Sequence, residues 1–298
     1  MKKALFLGIV IVVLIAAITG IFYYLSRPAF SSHIRISTNL WVGYTPFMYA
    51  QEKGWLEDTP FRFIWLVDLS ENARLYERGF TQGFTTTQYE IRSEGMRGAK
   101  PVFLIDRSAG ADAIVSNRTL KELRTGKETV NVYLERGSLN QDFFEAFIHE
   151  KRLGGVTFNQ IDMSQKNIAA MPFETAPTLI ISYQPYLSQL AVKGYKTVAS
   201  TRDIRSFLVI DALFADDEVI SGKEQEFVRL KEIFDKAVMH LKENPQEYYE
   251  TVKGYLERQS YEEFITSTRE IEWFDGGVPE EVTRHLERQN IKTDRLLP

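Results

Sequence analysis

The chain has 298 residues, 44% of them hydrophobic and 26% charged, a balance that excludes a chain dominated by disorder and is enough for one large domain or two smaller lobes. A formal net charge of −4 forces no basic face, so the totals give no electrostatic reason to expect nucleic acid. Without a cysteine there are no disulfides, thiolate metal sites, cysteine nucleophile or lipidated N-terminal cysteine.

After Met1, Lys2 and Lys3 the sequence runs from Ala4 to Leu25 without a charge. At about 1.5 Å per helical residue, that length crosses a hydrocarbon core of about 30 Å. The apolar region of a signal peptide is shorter, about 7 to 15 residues. Tyr23 and Tyr24 suit an interfacial aromatic belt, and no A-x-A-like site follows. Residues 1–28 therefore read first as an uncleaved signal anchor in the inner membrane, through residues 4–25, and second as a long signal peptide cleaved after Gly20. Either reading exports the rest to a periplasmic or other extracytoplasmic space.

Ile34 to Asn39 alternates apolar with polar residues, as a half-buried strand does. Thr45 then reads as an N-cap with Pro46 at the first helical position and Gly54 as the residue that closes the helix, with Trp41 and Tyr44 flanking its start. Phe61 to Val67 is the next strand, and Ser70 starts a short helix that ends at Gly79. The segment GFTQGFTTTQYE predicts a glycine-spaced strand opening into a threonine-rich turn at Thr85 to Thr87. Apolar strands follow at Pro101 to Ile105 and Ala111 to Val115, with DRSAG between them. There Gly110, beside the small Ala109 and Ala111, allows a bend, and Asp106 and Asp112 read as residues pinning the turn through backbone N–H groups. Val130 to Leu134 runs into Gly137 and Ser138, and Ser138 with Gln141 has capping-box spacing for a helix carrying Phe143, Phe147 and Ile148. Leu179 to Ser182 is a buried strand ending beside Tyr183, PYLSQLAVKG a helix, and Tyr195 to Ala199 and Phe207 to Leu213 two more strands. From Gly222 onward the apolar positions, among them Phe227, Leu230, Phe234 and Val238, recur at helical spacing.

Strands alternating with helices predict an α/β fold with mostly parallel sheets, in which ligands bind at the carboxyl ends of strands. Three strand-to-helix junctions compete for that role: Tyr44 to Pro46, Thr85 to Thr87, and Gly137 with Ser138. Each would offer unpaired N–H groups, a hydroxyl and the positive end of a helix dipole, which suit an anion or a carbonyl oxygen, although Thr45 and Ser138 also read simply as caps. Trp41, Tyr44 and Tyr183 add ring faces that pack on a ring or a cation. Neither G-x-x-x-x-G-K-[ST] nor G-x-G-x-x-G occurs, so nucleotide binding has no support. His33, His149, His240 and His285 are too scattered for a histidine metal site. Without G-x-S-x-G or a set of nucleophile, base and acid, no catalytic residue and no cofactor is assigned, and the expectation is a binding protein rather than an enzyme.

Taken together, ISTNLWVGYTPFMYAQEKGWLE, LYERGFTQGFTTT, VFLIDRSAGADAIVSN, VYLERGS and ISYQPYL resemble the periplasmic solute-binding proteins of ABC importers, of the nitrate, sulfonate, taurine and thiamin-precursor type, over roughly His33 to Val219. The resemblance implies a two-lobed type II periplasmic binding protein fold. Lobe one would combine residues 33–109 and 211–298, lobe two would span 110–210, and the chain would cross between them twice. By position it implies a ligand-binding set of Trp41, Tyr44, Thr85, Thr86, Gly137 and Ser138, to which the helix start adds Thr45 and the end of the Leu179 strand adds Tyr183. It implies delivery of a small organic or anionic ligand to an ABC permease; the alternative is a membrane-anchored domain that signals to another membrane protein. Two departures stand out. Gly79-Phe80-Thr81-Gln82 replaces the family's Gly-x-Val/Ile-Asp, and Gln184 precedes Pro185 where the family carries an acid, which turns the expectation away from a cationic amine.

Overall fold

In the computed structural model, residues 33–297 are described apart from 67–68, 94–95, 97, 205 and 257. The chain begins with β1 (Ile34–Asn39), α1 (Thr45–Glu52), β2 (Phe61–Leu66), α2 (Leu69–Glu77), β3 (Gly83–Thr87), α3 (Gln88–Ser93) and β4 (Ala99–Ser108). It continues through β5 (Asp112–Ser116), α4 (Leu120–Thr125), β6 (Val130–Leu134), α5 (Leu139–Glu150), β7 (Phe158–Asp162), α6 (Gln165–Ala170), β8 (Thr178–Tyr183), α7 (Tyr186–Val192) and β9 (Lys196–Ser200). The last part comprises β10 (Ile210–Asp216), α8 (Asp217–Gly222), α9 (Glu224–Glu243), α10 (Pro245–Val252), α11 (Tyr261–Thr268), β11 (Ile271–Trp273) and α12 (Glu280–Arg288).

These strands make two sheets, ordered β11-β4-β10-β3-β1-β2 and β7-β6-β8-β5-β9. In the first, β1 and β3 are parallel, whereas β10 is antiparallel to both its neighbours and β11 is antiparallel to β4. In the second, β6 is parallel to β7 and β8, and β5 is antiparallel to β8 and β9. The expectation of mostly parallel sheets is thus corrected to mixed ones, for a directional reason. β5 and β10 are the strands by which the chain enters one sheet from the other, and each starts where its neighbours end. Asp112, the first residue of β5, pairs with Tyr183, the last of β8. Asp211, near the start of β10, pairs with Thr87, the last of β3.

Alternation along the strands of the second sheet buries both of its faces. Ile114, Val132, Leu134, Leu179 and Ile181 pack with Phe143, Phe144 and Phe147 of α5. Their sequence neighbours Val115, Tyr133 and Ile180 pack on the other side with Leu187 and Leu190 of α7, as the two-residue period of a strand requires. Phe84, Leu104, Ala212 and Phe214 of the first sheet pack against Val282 and Leu286 of α12.

The link between β4 and β5 spans residues 109–111, and Gly110 there has φ +128°, a conformation that disfavours a side chain. The Glu270 carbonyl accepts from Ala109 N (2.7 Å) and Ala111 N (3.2 Å), and Thr201 Oγ1 accepts from Gly110 N (2.9 Å) and lies 2.8 Å from Ser108 Oγ. Ser108 Oγ in turn accepts from Asp112 N at 3.1 Å. Hydroxyls and a distant carbonyl therefore pin this turn, not Asp106 and Asp112, because β4 runs on to Ser108 and leaves Asp106 inside a strand.

The apolar stretch from Ala4 to Leu25, expected to be an N-terminal transmembrane or signal helix, lies outside the described residues. Among the described residues no helix is long and apolar enough to cross a membrane.

Candidate functional site

A small cavity lies where the carboxyl ends of strands from both sheets meet. The first sheet contributes Asn39 at the end of β1, Trp41 and Tyr44 just beyond it, Thr87 at the end of β3, and Asp211 on β10. The second contributes Asp112 at the start of β5, Tyr183 at the end of β8, and Leu139 at the start of α5; Val209 completes the lining. Its volume is about 20 Å³, enough for about one water. The walls are in contact: the Trp41 and Tyr183 rings meet edge to face at 5.7 Å, one from each side.

Of the residues expected to bind ligand, Trp41, Tyr44 and Tyr183 line this cavity, all three buried. Thr45 is turned away. A 3-10 turn, Val42–Tyr44, leads directly into α1, so Thr45 is the first helical residue rather than its N-cap; its hydroxyl donates to Val42 O (2.8 Å) and accepts from Tyr248 Oη (3.3 Å). The threonine run lies within β3, not in a turn, which moves the strand end to Thr87. Thr85 donates to Thr38 Oγ1 (2.6 Å) and Thr86 to Glu90 Oε2 (3.2 Å), while Thr87 lies on the cavity. Gly137, with φ +76°, precedes Ser138, which caps α5 by accepting from Asn140 N at 3.3 Å. The Ser138 capping box does not form, because Gln141 reaches forward to Glu145. From this junction it is Leu139 that lines the cavity.

The groups that dominate the site electrostatically are buried acids. Glu90 is 1% exposed, and its Oε2 accepts from Thr86 Oγ1, Thr87 Oγ1 and Thr87 N, the last at 3.1 Å. Its Oε1 accepts from Leu139 N at 2.6 Å, joining the helix after β3 to the helix after β6. Asp211 accepts the hydroxyl proton of Tyr44. Among the described residues, Asp106, Cα partner of Asp211 across the strand pair, has no hydrogen-bond partner on either carboxyl oxygen, and neither has Asp112 on Oδ2.

Burial pushes the Asp106 and Asp211 carboxyls well above the usual range, and Coulomb repulsion from neighbouring carboxylates raises each further. Against this, Asp211 is pulled down by the Tyr44 hydroxyl, and Asp106 by the Trp41 indole N–H, which lies nearby without reaching hydrogen-bond geometry. Asp112 is pushed up to about 7 by burial, opposed by the polar Ser108 side chain close by. Burial also raises Glu90, opposed by its bonds from Thr87 and Leu139. Among the described residues no Lys, Arg or His lines the cavity.

Sequence reasoning missed these acids, and two signals were there to be read. Thr87-Gln88-Tyr89-Glu90 has capping-box spacing. An aspartate inside an otherwise apolar strand, as in Ile210-Asp211-Ala212-Leu213-Phe214, is rare enough to mark a site.

No family model matches the chain, and no curated protein matches it in sequence. Solved structures match throughout the fold. The ligand binding component of an ABC-type import system from Staphylococcus aureus, with zinc bound, aligns at 13% identity over 89% of this chain and 96% of its own, with a TM-score of 0.68. The periplasmic aliphatic sulphonate binding protein SsuA from Escherichia coli aligns at 12% identity over 87% and 85%, TM-score 0.67. The alkanesulfonate-binding protein SsuA from Xanthomonas axonopodis pv. citri bound to MOPS aligns at 10% identity over 90% and 96%, TM-score 0.66. The protein has the fold of the periplasmic binding proteins of ABC import systems, two mixed α/β sheets with flanking helices.

Proposed function

We propose that this protein is an extracytoplasmic solute-binding protein that holds a small ligand between two lobes and passes it to an ABC permease. The observation that carries the reading is the cavity itself, walled from both sheets by Trp41, Tyr44 and Asp211 on one side and Asp112 and Tyr183 on the other. In this reading the sheets are the cores of two lobes of the type II periplasmic arrangement, with residues 33–109 and 211–298 in one and 110–210 in the other. With room for about one water, the cavity belongs to a closed form, and a ligand enters when the walls part about residues 109–111 and 201–209. The apolar stretch 4–25 would hold the protein at the inner membrane, facing its permease.

The binding set in this reading is Trp41, Tyr44, Thr87, Asp112, Tyr183 and Asp211. Thr45, Thr85, Thr86, Gly137 and Ser138 support it from behind. The test is a thermal-shift screen of the full chain against sulfonates, nitrate, amino acids, pyrimidines and polyamines, since a ligand that binds only the native state raises the melting temperature. A hit that disappears in Trp41→Ala supports the reading; a well-folded protein that responds to nothing overturns it.

A further inference from the structure

The chemistry of the cavity wall names a ligand class, an inference that rests on the solute-binding reading above. The N-terminus of α5 is the feature suited to an anion, and the chain has filled it. Leu139 N–H is given to Glu90 Oε1 at 2.6 Å and Asn140 N–H to Ser138 Oγ at 3.3 Å. Glu90 is carried on α3 beside the other sheet, so a carboxylate of the protein stands where a ligand's sulfonate or carboxylate would find its donors.

What remains on the wall, among the described residues, is one free donor, the Trp41 indole N–H beside Asp106, ring faces, and carboxyl groups that carry the only charge the lining can bear. Asp112 and Asp211 line the cavity, 2% and 3% exposed, and Asp112 Oδ2 has no partner among the described residues. Asp106 stands directly behind, fully buried and, among the described residues, without a partner on either oxygen; a Cβ at Gly43 would come within 1.9 Å of its Oδ2. Aspartates set opposite one another across strands repel, and carboxylates removed from water without a counter-charge are costly. In the empty cavity such carboxyls relieve that cost by holding protons; an anion keeps them protonated, whereas a cation lets them ionise and pairs with the charge.

We propose that the cavity takes a small organic cation, a protonated amine or quaternary ammonium, held by the Asp112 and Asp211 carboxylates and packed against Trp41, Tyr44 and Tyr183. Aromatic rings attract ammonium groups, and they leave little of the wall for the regular oxygen shell of a metal ion. Among the described residues no group of three or more His, Asp or Glu is placed to hold one. Gln184, whose neutrality argued against an amine, does not decide the question, because the strand pairing sets Asp112 opposite Tyr183 and supplies a carboxylate from β5.

Calorimetric titration of the full chain at neutral pH with choline, putrescine, the uncharged carbon isostere of choline, and ethanesulfonate tests this. Expected is saturable binding of a cation, with the isostere at least about 30-fold weaker and Asp112→Asn weakened by a similar factor. Asp211→Asn, its fold checked by circular dichroism, gives a second reading should Asp112→Asn not fold. Ethanesulfonate binding while both cations are silent overturns the cation class and leaves the solute-binding reading standing, as does an isostere that binds as tightly as choline. No binding by any of the four to cooperatively folded protein overturns both.

Discussion

Asp106 on β4 and Asp211 on β10 are opposite one another in the register of two antiparallel strands, and among the described residues only Asp211 of the two receives a side-chain hydrogen bond, from the Tyr44 hydroxyl. Tyr44 thus stabilises one member of a pair of like-charged neighbours from the cavity side. Tyr44→Phe leaves that carboxyl without a donor and is expected to cost about 1–3 kcal/mol. In calorimetry this appears as a melting temperature lower by several degrees, with a deficit larger at pH 8 than at pH 5, where more of the carboxyl is protonated. A variant that melts with the parent at both pH values contradicts the account.

The acids also set a direction for pH. An aspartate titrates near 3.9 in an unfolded chain, whereas Asp112 in the folded protein is pushed up to about 7 by burial. The folded form therefore binds more protons between those values. Asp112's contribution to stability is fully present below about pH 4 and is lost as pH rises through about 7, amounting to about 4 kcal/mol. Urea denaturation of ligand-free protein at pH 5 and pH 8 measures this: the parent should lose more stability across the interval than Asp112→Asn, whose amide does not titrate. Equal losses would place Asp112 in a more solvated setting.

Glu90 ties the first turn of α5 to the end of β3, so Glu90→Ala should speed hydrogen exchange at Leu139 while leaving amides of the α5 interior, such as Phe144, protected. It should also uncover the donors at that helix start, so that sulfate raises the melting temperature of the variant and not of the parent. Unchanged exchange at Leu139 would show that the bond contributes nothing in solution.

Gly43 is held small by its neighbours. A Cβ there would meet Asp106 Oδ2 at 1.9 Å and Trp41 Nε1 at 2.4 Å, both on buried side chains. Gly43→Ala is expected to displace the indole and cost about 1–3 kcal/mol, seen as a lower melting temperature together with a shifted tryptophan emission. A variant with the parent's melting temperature and spectrum would mean that the wall yields without cost.

The strands were legible because their period is local: Ile34 to Asn39, Val130 to Leu134 and Leu179 to Ser182 sit where alternation and apolar runs put them. Trp41, Tyr44 and Tyr183 were legible as a group because each adjoins the end of a strand. Strand direction was not, since the orientation of β5 and β10 follows from how the chain crosses between sheets, which no short window records. The acids were misread for a related reason. Asp106 looked like a turn residue until β4 was seen to run on to Ser108, and the partnership of Glu90 with Leu139 joins positions 49 apart. Thr45 is no cap because a 3-10 turn precedes it, whereas Ser138 caps α5 as expected and lacks only the Gln141 half of the capping box.

The place of β10 has a consequence for how the protein is made. It lies between β3 and β4, so the first sheet lacks a central strand until residue 216 has left the ribosome. The second sheet needs only residues 112–200, one uninterrupted stretch of chain. During synthesis the inner segment can assemble while the flanking one waits, holding β3 and β4 as separated edges open to the wrong neighbour. The last-made residues then close the molecule, as the Glu270 carbonyl clasps Ala109 and Ala111 at a turn synthesised some 160 residues earlier.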